Sequence, residues 1–513
     1  MITRINILFC LLIFISCAKE ESSTSMYTPT DFCSKIHACQ SVSLSEELSS
    51  LTELQNGKTG AYVLEDGSGS MLLRAFLTQH AEKSIDIQYF IFSMDNIGLI
   101  ACDYLVRAAD RGVKIRLLVD DILVDADFED VLVLDSHENI SIKIYNPGLN
   151  LGKGIFDKIK KITTDFRGAN QRMHNKTCIV DEQLIITGGR NIADEYFDYD
   201  HEYNFRDRDI FLIGDPKDQI KTSFSQFWES DLSVNVSSLA NELPERINDI
   251  NKFEPLHQYC CNPENFWPEI RSSLENLPVA FENIKNSNSI KWLDTNDISF
   301  VSDLPGKNEE TSGLGGGGIT TTKLIELVKS AKESIDIQSP YLVTSELSRG
   351  LFSEAVKRGV KIRILTNSLA STDNLEAFAG YQSDRKELLE TGVRIFEFKP
   401  DASVRKELMT GVLHQDSTKI PIFGLHAKSM IIDRKISVIG TFNLDPRSAN
   451  LNTECIVILN SETITKGVLR GMEIEFQQEN AWETTPEFNP DSEVSNRKRL
   501  KTWTRKIVPK GIL

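Results

Sequence analysis

The chain predicts an α/β fold made of two similar halves, and three observations carry that prediction. First, "MHNKTCIVDEQLIITGGRN" (173–191) is echoed by "LHAKSMIIDRKISVIGTFN" (425–443). His174, Lys176, Asp181, Gly188 and Asn191 recur as His426, Lys428, Asp433, Gly440 and Asn443, every pair 252 residues apart. Second, "AEKSIDIQYFIF" (81–92) returns as "AKESIDIQSPYLV" (331–343), and "RGVKIRLLVD" (111–120) as "RGVKIRILTN" (358–367). A repeat on this scale marks a duplicated structural unit. Third, β-branched runs alternate with helical patterns in each half. That alternation implies a mixed or parallel sheet flanked by helices.

Taken in order, the N-terminus reads as a targeting segment. "MITRINILFCLLIFISCAKE" has one arginine, Arg4, then an apolar run from Ile5 to Ile15, short for a membrane span. It ends Ser16-Cys17, which resembles a bacterial lipobox. Residues 1–17 are therefore expected to be a lipoprotein-type signal peptide, with Cys17 as the lipidated residue. Lipidation would hold the body to a membrane of the cell envelope, on the periplasmic face of the inner or outer membrane.

Residues 18–59 read as a polar, Ser/Thr-rich lead and 60–235 as the first half. Within that half the pattern predicts helices over 69–82 and 97–111. Strands are expected at 84–92, 113–120, 141–145, 176–181, 184–187 and 208–213. Residues 236–318 read as a connecting region ending in "GLGGGG" (313–318). That loop lacks the Gly-Lys-Ser/Thr ending of a phosphate-binding loop and is expected to be a flexible turn before a helix. The second half spans 319–480, and 481–513 a basic tail. The tail's end, "NRKRLKTWTRKIVPKGIL", has seven basic residues and no acidic one. Leu500, Trp503 and Ile507 are spaced to share a helical face there, as in an interfacial segment drawn to anionic lipid. A solvated tail is the plainer reading.

A formal net charge of −17 argues against sequence-independent nucleic-acid binding, which needs a broad basic surface. Of nine cysteines, Cys102, Cys178 and Cys455 sit in apolar patterns and are expected as buried thiols. Cys33, Cys39, Cys260 and Cys261 lie in irregular regions and are candidates for one or two disulfides, with the pairing open. A zinc site from Cys33, His37, Cys39 and Cys260 matches no strong metal spacing.

A lone histidine beside a strand is most often an ordinary core or surface residue, and His37, His80, His137, His201, His257 and His414 are read that way. His174 and His426 differ because a lysine follows two residues on, on the same face of an extended strand. An imidazole beside an ammonium suits attack on an anionic phosphodiester, with the cation neutralising charge that develops on the phosphoryl oxygens. Asn191 and Asn443 could donate further hydrogen bonds. The small residues Gly188-Gly189 and Gly440-Thr441 would let a phosphate approach the backbone.

With these residues the chain resembles the phospholipase D superfamily, whose signature is a duplicated H-x-K-x-x-x-x-D followed by Gly-Gly/Ser/Thr-x-Asn. "GGRNIADEYF" (188–197), "FRDRDIFLIG" (205–214), "IQSPYLV" (337–343) and "GTFNLDPRSANLNTE" (440–454) are similar to its cardiolipin synthase branch. The resemblance implies two phospholipase D-like α/β halves about a pseudo-two-fold axis, meeting in one site. It implies a two-step reaction through phosphohistidine, without metal or cofactor. Carried over by position, His174 is the expected nucleophile and His426 the acid/base. Lys176, Lys428, Asn191 and Asn443 would bind phosphate, and Glu454 and Asp207 would orient the imidazoles. Asp181 and Asp433 complete the catalytic motif, with a supporting, structural part expected for both.

Four functions fit to different degrees. A phosphatidyltransferase would form cardiolipin from phosphatidylglycerol and a second phospholipid such as phosphatidylethanolamine, at a membrane surface and without an obligate protein partner. A phospholipase D-type hydrolase would use water instead. A nuclease is disfavoured by the charge, and a non-catalytic lipid-binding lipoprotein by the intact motifs.

Overall fold

The computed structural model describes residues 29–36, 43–123, 126–148, 166–266, 268–275, 289–308, 314–409 and 421–513. The expected signal, Cys17, residues 18–28 and 37–42 of the lead (with His37 and Cys39) and His414 lie outside them. Each half builds its own mixed sheet. The first has nine strands, in the order Lys291–Leu293, Thr59–Leu64, Asp209–Ile213, Leu184–Gly188, Thr177–Val180, Ser84–Ile91, Lys114–Leu123, Ile140–Tyr145 and Ser233–Asn235. The second has eight: Ile298–Ser302, Cys455–Asn460, Ile436–Gly440, Lys428–Ile432, Ser334–Gln338, Lys361–Asn367, Arg394–Phe398 and Ala481–Thr484.

The shared core of both sheets follows from the repeated sequences. "SIDIQ" is the strand that begins at Ser84 in one half and Ser334 in the other. Each copy pairs parallel with the "KIR" strand and antiparallel with the strand of the histidine motif. The parallel pair needs a crossover, supplied by helices Asn96–Asp110 and Glu346–Lys357. Asp95 and Ser345 cap their N-termini, accepting from the amides of Gly98 and Ser348. The repeated Arg-Gly-Val stops them: Gly112 and Gly359 both take φ +93°, the left-handed turn that ends a helix. The β-branched strands bury two apolar core clusters: one runs from the first half into the second, with Ile431, Ile439 and Val457 among its members, and the other lies within the second half.

Three features depart from the sequence expectation. The region read as a connector supplies an edge strand to each sheet, Lys291–Leu293 to the first and Ile298–Ser302 to the second. The described end of the polar lead is helical, and Phe32, Ile36 and Leu44 enter the first core. The glycine loop does precede a helix, Ile319–Ser330, but a Cβ on Gly318 would come within 2.4 Å of Lys307 Cε. The glycine there makes room for a buried lysine. A short parallel ribbon, Tyr203–Arg206 with Ile422–Leu425, joins the halves directly.

Cys33 and Cys261 form a disulfide that ties helix Pro29–Ile36 to the end of helix Glu254–Cys260. Cys102, Cys178, Cys260 and Cys455 are buried thiols. Digestion without reductant is expected to yield a Cys33–Cys261 linked peptide. Cys260 should take up an alkylating reagent only after denaturation, with mass spectrometry as the readout.

Candidate active site

The two histidine motifs occupy equivalent places. His174 precedes strand Thr177–Val180 and His426 precedes Lys428–Ile432, and each is anchored to the opposite half through its amide. His174 N donates to Thr453 O (3.0 Å), and His426 N donates to Arg206 O (2.7 Å). The side chains repeat the exchange. His174 Nδ1 lies 2.8 Å from Glu454 Oε2, and His426 Nδ1 lies 2.5 Å from Asp207 Oδ2. Each half thus provides the carboxylate for the other half's imidazole. A carboxylate at Nδ1 fixes the proton there and leaves Nε2 for chemistry.

The lysines fold back over their own histidines. Lys176 Nζ donates to His174 O (2.8 Å), while Lys428 Nζ lies 2.9 Å from His426 Nε2. All four side chains are buried. Burial and the charge of Lys428 lower Lys176 to about 7, and burial lowers Lys428 to about 8 against the pull of Asp207 and Glu454. Burial and Lys428 take His426 down to about 4; burial with Lys176 and Lys428 takes His174 well below its usual value. Both imidazoles are neutral near pH 7, and burial holds both ammonium groups below their usual range despite Asp207 and Glu454. An anionic phosphodiester between them would favour the charged lysines. Aromatic edges hem the imidazoles: Phe90 stands 4.9 Å from His174, and Tyr196 and Phe205 stand 5.1 and 4.7 Å from His426.

The two carboxylates are braced differently. Glu454 accepts from Thr441 Oγ1, and its amide donates to Asp303 Oδ2 (3.1 Å). Asp303 in turn pairs with buried Lys307 (2.8 Å). Asp207 accepts at Oδ1 from the amide of Arg208 (2.7 Å). Its neighbours Arg206 and Arg208 cross the interface, Arg206 to Glu475 and Arg208 to Gln338 (2.6 Å) and Ser429 (2.7 Å). Glu65 pairs with both arginines, which together overcome its burial and draw it down to about 2. Sequence reasoning missed Glu65, Asp303 and Lys307. None belongs to a motif, and only the fold brings them to the site.

Other expected residues find altered parts. The glycines are filled from within the protein: a Cβ on Gly189 would come within 2.0 Å of Asp207 Oδ1, and one on Gly440 within 2.2 Å of Cys455 O. They make room for the orienting carboxylate and the next strand, not for phosphate, and Thr441 holds Glu454. Asp181 and Asp433 stand in the turns at the far ends of the motif strands, at φ 48° and 51°. Asp181 accepts from the amides of Glu82, Lys83 and Ser84, and Asp433 from those of Lys332, Glu333 and Ser334. They clamp the turns and do not enter the site. Asn191 Oδ1 accepts from Ile91 N (3.1 Å), and Asn443 Oδ1 is buried without a hydrogen-bond partner. Cys33 is committed to its disulfide, which removes it from the zinc set. No group of three or more metal-binding side chains gathers among the described residues.

A duplicated His-Lys site on paired α/β halves defines the phospholipase D class. The family model described as "Cardiolipin synthase, PLD-like domain" matches residues 76–228 and again 324–475. The chain belongs to that family and is an enzyme of the phosphatidyltransferase type. It is 32% identical over 437 residues to cardiolipin synthase C of Escherichia coli, covering 83% of this chain and 86% of that one. It is likewise 32% identical over 423 residues to an uncharacterized Helicobacter pylori protein, covering 82% and 80%. The crystal structure of a phosphatidylserine synthase from Haemophilus influenzae shares the fold, with TM-score 0.54 at 13% identity over 90% of this chain and 99% of that one.

Two substitutions separate the parts. Gly189→Ala displaces Asp207, and turnover is expected to fall on the order of 10²-fold while circular dichroism stays unchanged. Asp433→Ala is expected to cost about 1 kcal/mol in urea unfolding, with turnover close to the parent's.

Proposed function

We propose that the protein forms cardiolipin from phosphatidylglycerol and a second phospholipid, phosphatidylethanolamine among the candidates, through a phosphohistidine. The observation that carries this reading is the pair of buried His-Lys dyads, each imidazole held by a carboxylate of the other half. His174 Nε2 attacks the donor phosphorus. The bond to the headgroup alcohol breaks, and the departing oxygen takes a proton from His426 Nε2. The acceptor hydroxyl of phosphatidylglycerol then returns a proton to His426 as its oxygen attacks phosphorus, and the P–N bond breaks to restore His174. Lys176 and Lys428 hold the phosphoryl oxygens, with the side-chain amides of Asn191 and Asn443 as further donors.

The bound phosphate also prepares the acid. Its negative charge offsets the lysine charges that help to hold both imidazoles low, so His426 gains a proton more readily with substrate in place. Asp207 steadies the imidazolium that results. The expected setting is a lipoprotein anchored through Cys17 at the cell envelope. No helix among the described residues is long and apolar enough to cross a membrane.

The test supplies both lipids in mixed micelles and resolves products by mass spectrometry. Cardiolipin is expected, falling by on the order of 10²–10⁴ in His174→Ala and in His426→Ala. Phosphatidic acid alone would replace the transferase reading with a hydrolase, and no turnover of either lipid would overturn both. A pH profile checks the lysines. Their charge is present below their lowered pKa values and lost above them, so kcat/KM should fall as pH rises through about 7 to 8. Lys176→Arg, which replaces the group that titrates lower, should leave only the fall near 8 and so move that limb upward.

A further inference from the structure

The C-terminal segment is the largest motif that the chemistry leaves unused. Residues 496–505 form a helix, Asn496–Arg505, that packs on helix Leu375–Glu390 through buried Thr502 and the Arg505–Glu376 ion pair (3.2 Å). Its other side is bare. Leu500 and Trp503 are 63% and 65% exposed, and Ile507, in the turn that follows, is 87% exposed. With Phe488 they account for four of the ten large exposed hydrophobic side chains among the described residues, inside one stretch of twenty. Arg497, Arg499, Lys501 and Lys506 are exposed around them, and residues 496–513 hold no acidic side chain. In a chain of net charge −17, this is a basic rim around an apolar face.

The segment is also fixed to the site at both ends. At the helix, Lys498 Nζ donates to Ala370 O (3.3 Å), and the neighbouring Ser371 O accepts from Tyr203 OH. Tyr203 opens the strand that leads into Asp207. At the C-terminus, Arg447 N donates to Leu513 O (2.9 Å) and Arg447 Nε to Ile512 O (2.9 Å). Arg447 lies four residues beyond Asn443, and Lys510 pairs with buried Asp384. The apolar face therefore has a set position relative to both histidines, which a solvated tail would lack.

We infer that residues 496–507 form an interfacial docking element that seats the protein on an anionic phospholipid surface, with Leu500, Trp503 and Ile507 entering the lipid. Bilayers of anionic lipid offer both what the face lacks, apolar cover, and what its rim attracts, negative charge. An acidic peptide would satisfy the rim but leave Trp503 and Ile507 wet. The inference rests on the phospholipid reading of the site, but its first test does not depend on turnover.

The full chain is reconstituted with vesicles containing brominated lipid, and tryptophan quenching is compared between the parent and Trp503→Phe. Quenching of Trp503 is expected in vesicles rich in phosphatidylglycerol, reduced several-fold in neutral vesicles or at high salt. Equal quenching in the parent and in Trp503→Phe would overturn the inference, whatever the enzyme does to lipid. So would a dimer that Trp503→Ser dissociates, since the face would then belong to a second copy. The second measurement uses Leu500→Ser/Trp503→Ser/Ile507→Ser. Turnover of vesicle lipid should drop about tenfold or more while turnover of monomeric short-chain lipid is kept. Equal loss on both substrates would mean a damaged site and would overturn the docking role.

Discussion

The exchange of carboxylates between the halves is the constraint on which the rest of the molecule depends. Glu454 reaches His174 across 280 residues of sequence, and Asp207 reaches His426 across 219. Neither half alone holds an oriented imidazole, so the halves must meet in one register with little tolerance. A buried carboxylate–imidazole contact is sensitive to shifts of a fraction of an ångström, because its worth lies in fixing a tautomer and an angle. The interface supplies that rigidity through charged side chains whose loss would be costly. Arg206 and Arg208 are buried and paired to Glu65, Glu475 and Gln338. Removing one member would leave an uncompensated charge in the interior.

The repeat made the fold class legible, because period and β-branched content are local properties that the chain displays twice. The histidines and lysines were legible for the same reason, fixed spacing around a strand, whereas Asp207 and Glu454 were reached only through the resemblance to the phospholipase D superfamily. What stayed hidden is non-local. Nothing near Asp207 in sequence says that its partner is His426 and not His174. Nothing in "SDLPGK" says that Asp303 and Lys307 brace Glu454 from a region that reads as a connector. The glycines show a different limit. A small residue beside a catalytic motif reads as room for ligand, but the volume at Gly189 belongs to Asp207 and that at Gly440 to a neighbouring strand. The motif aspartates are diagnostic in sequence and remote from the chemistry. Their conformation at positive φ, with a carboxylate gathering three amides, is a turn requirement that falls at a fixed distance from the histidine only because the strand length is fixed.

The pseudo-symmetry of the site is broken where it matters for the proposed division of labour. Asp207 is buried, yet His426 and Lys428 outweigh the burial and hold it well below the usual carboxylate range. It stays charged beside His426. Glu454 is equally buried, and there burial wins over the pull of Lys176 and pushes it up to about 7. The two imidazoles therefore face unequal partners at neutral pH. A fully charged carboxylate stabilises an imidazolium, which the acid step requires. A half-protonated one gives less support to a cation and leaves a neutral imidazole, which the attack on phosphorus requires. The two motifs are alike in sequence, so no spacing argument distinguishes nucleophile from acid. In the proposed reading the distinction enters through the charges around each carboxylate: His426, Lys428 and Arg190 overcome the burial of Asp207, whereas Lys176, Thr441 and Lys307 do not overcome that of Glu454. A duplicated protein that needs two different histidines can obtain them by changing what holds the carboxylate while leaving both copies of the motif intact.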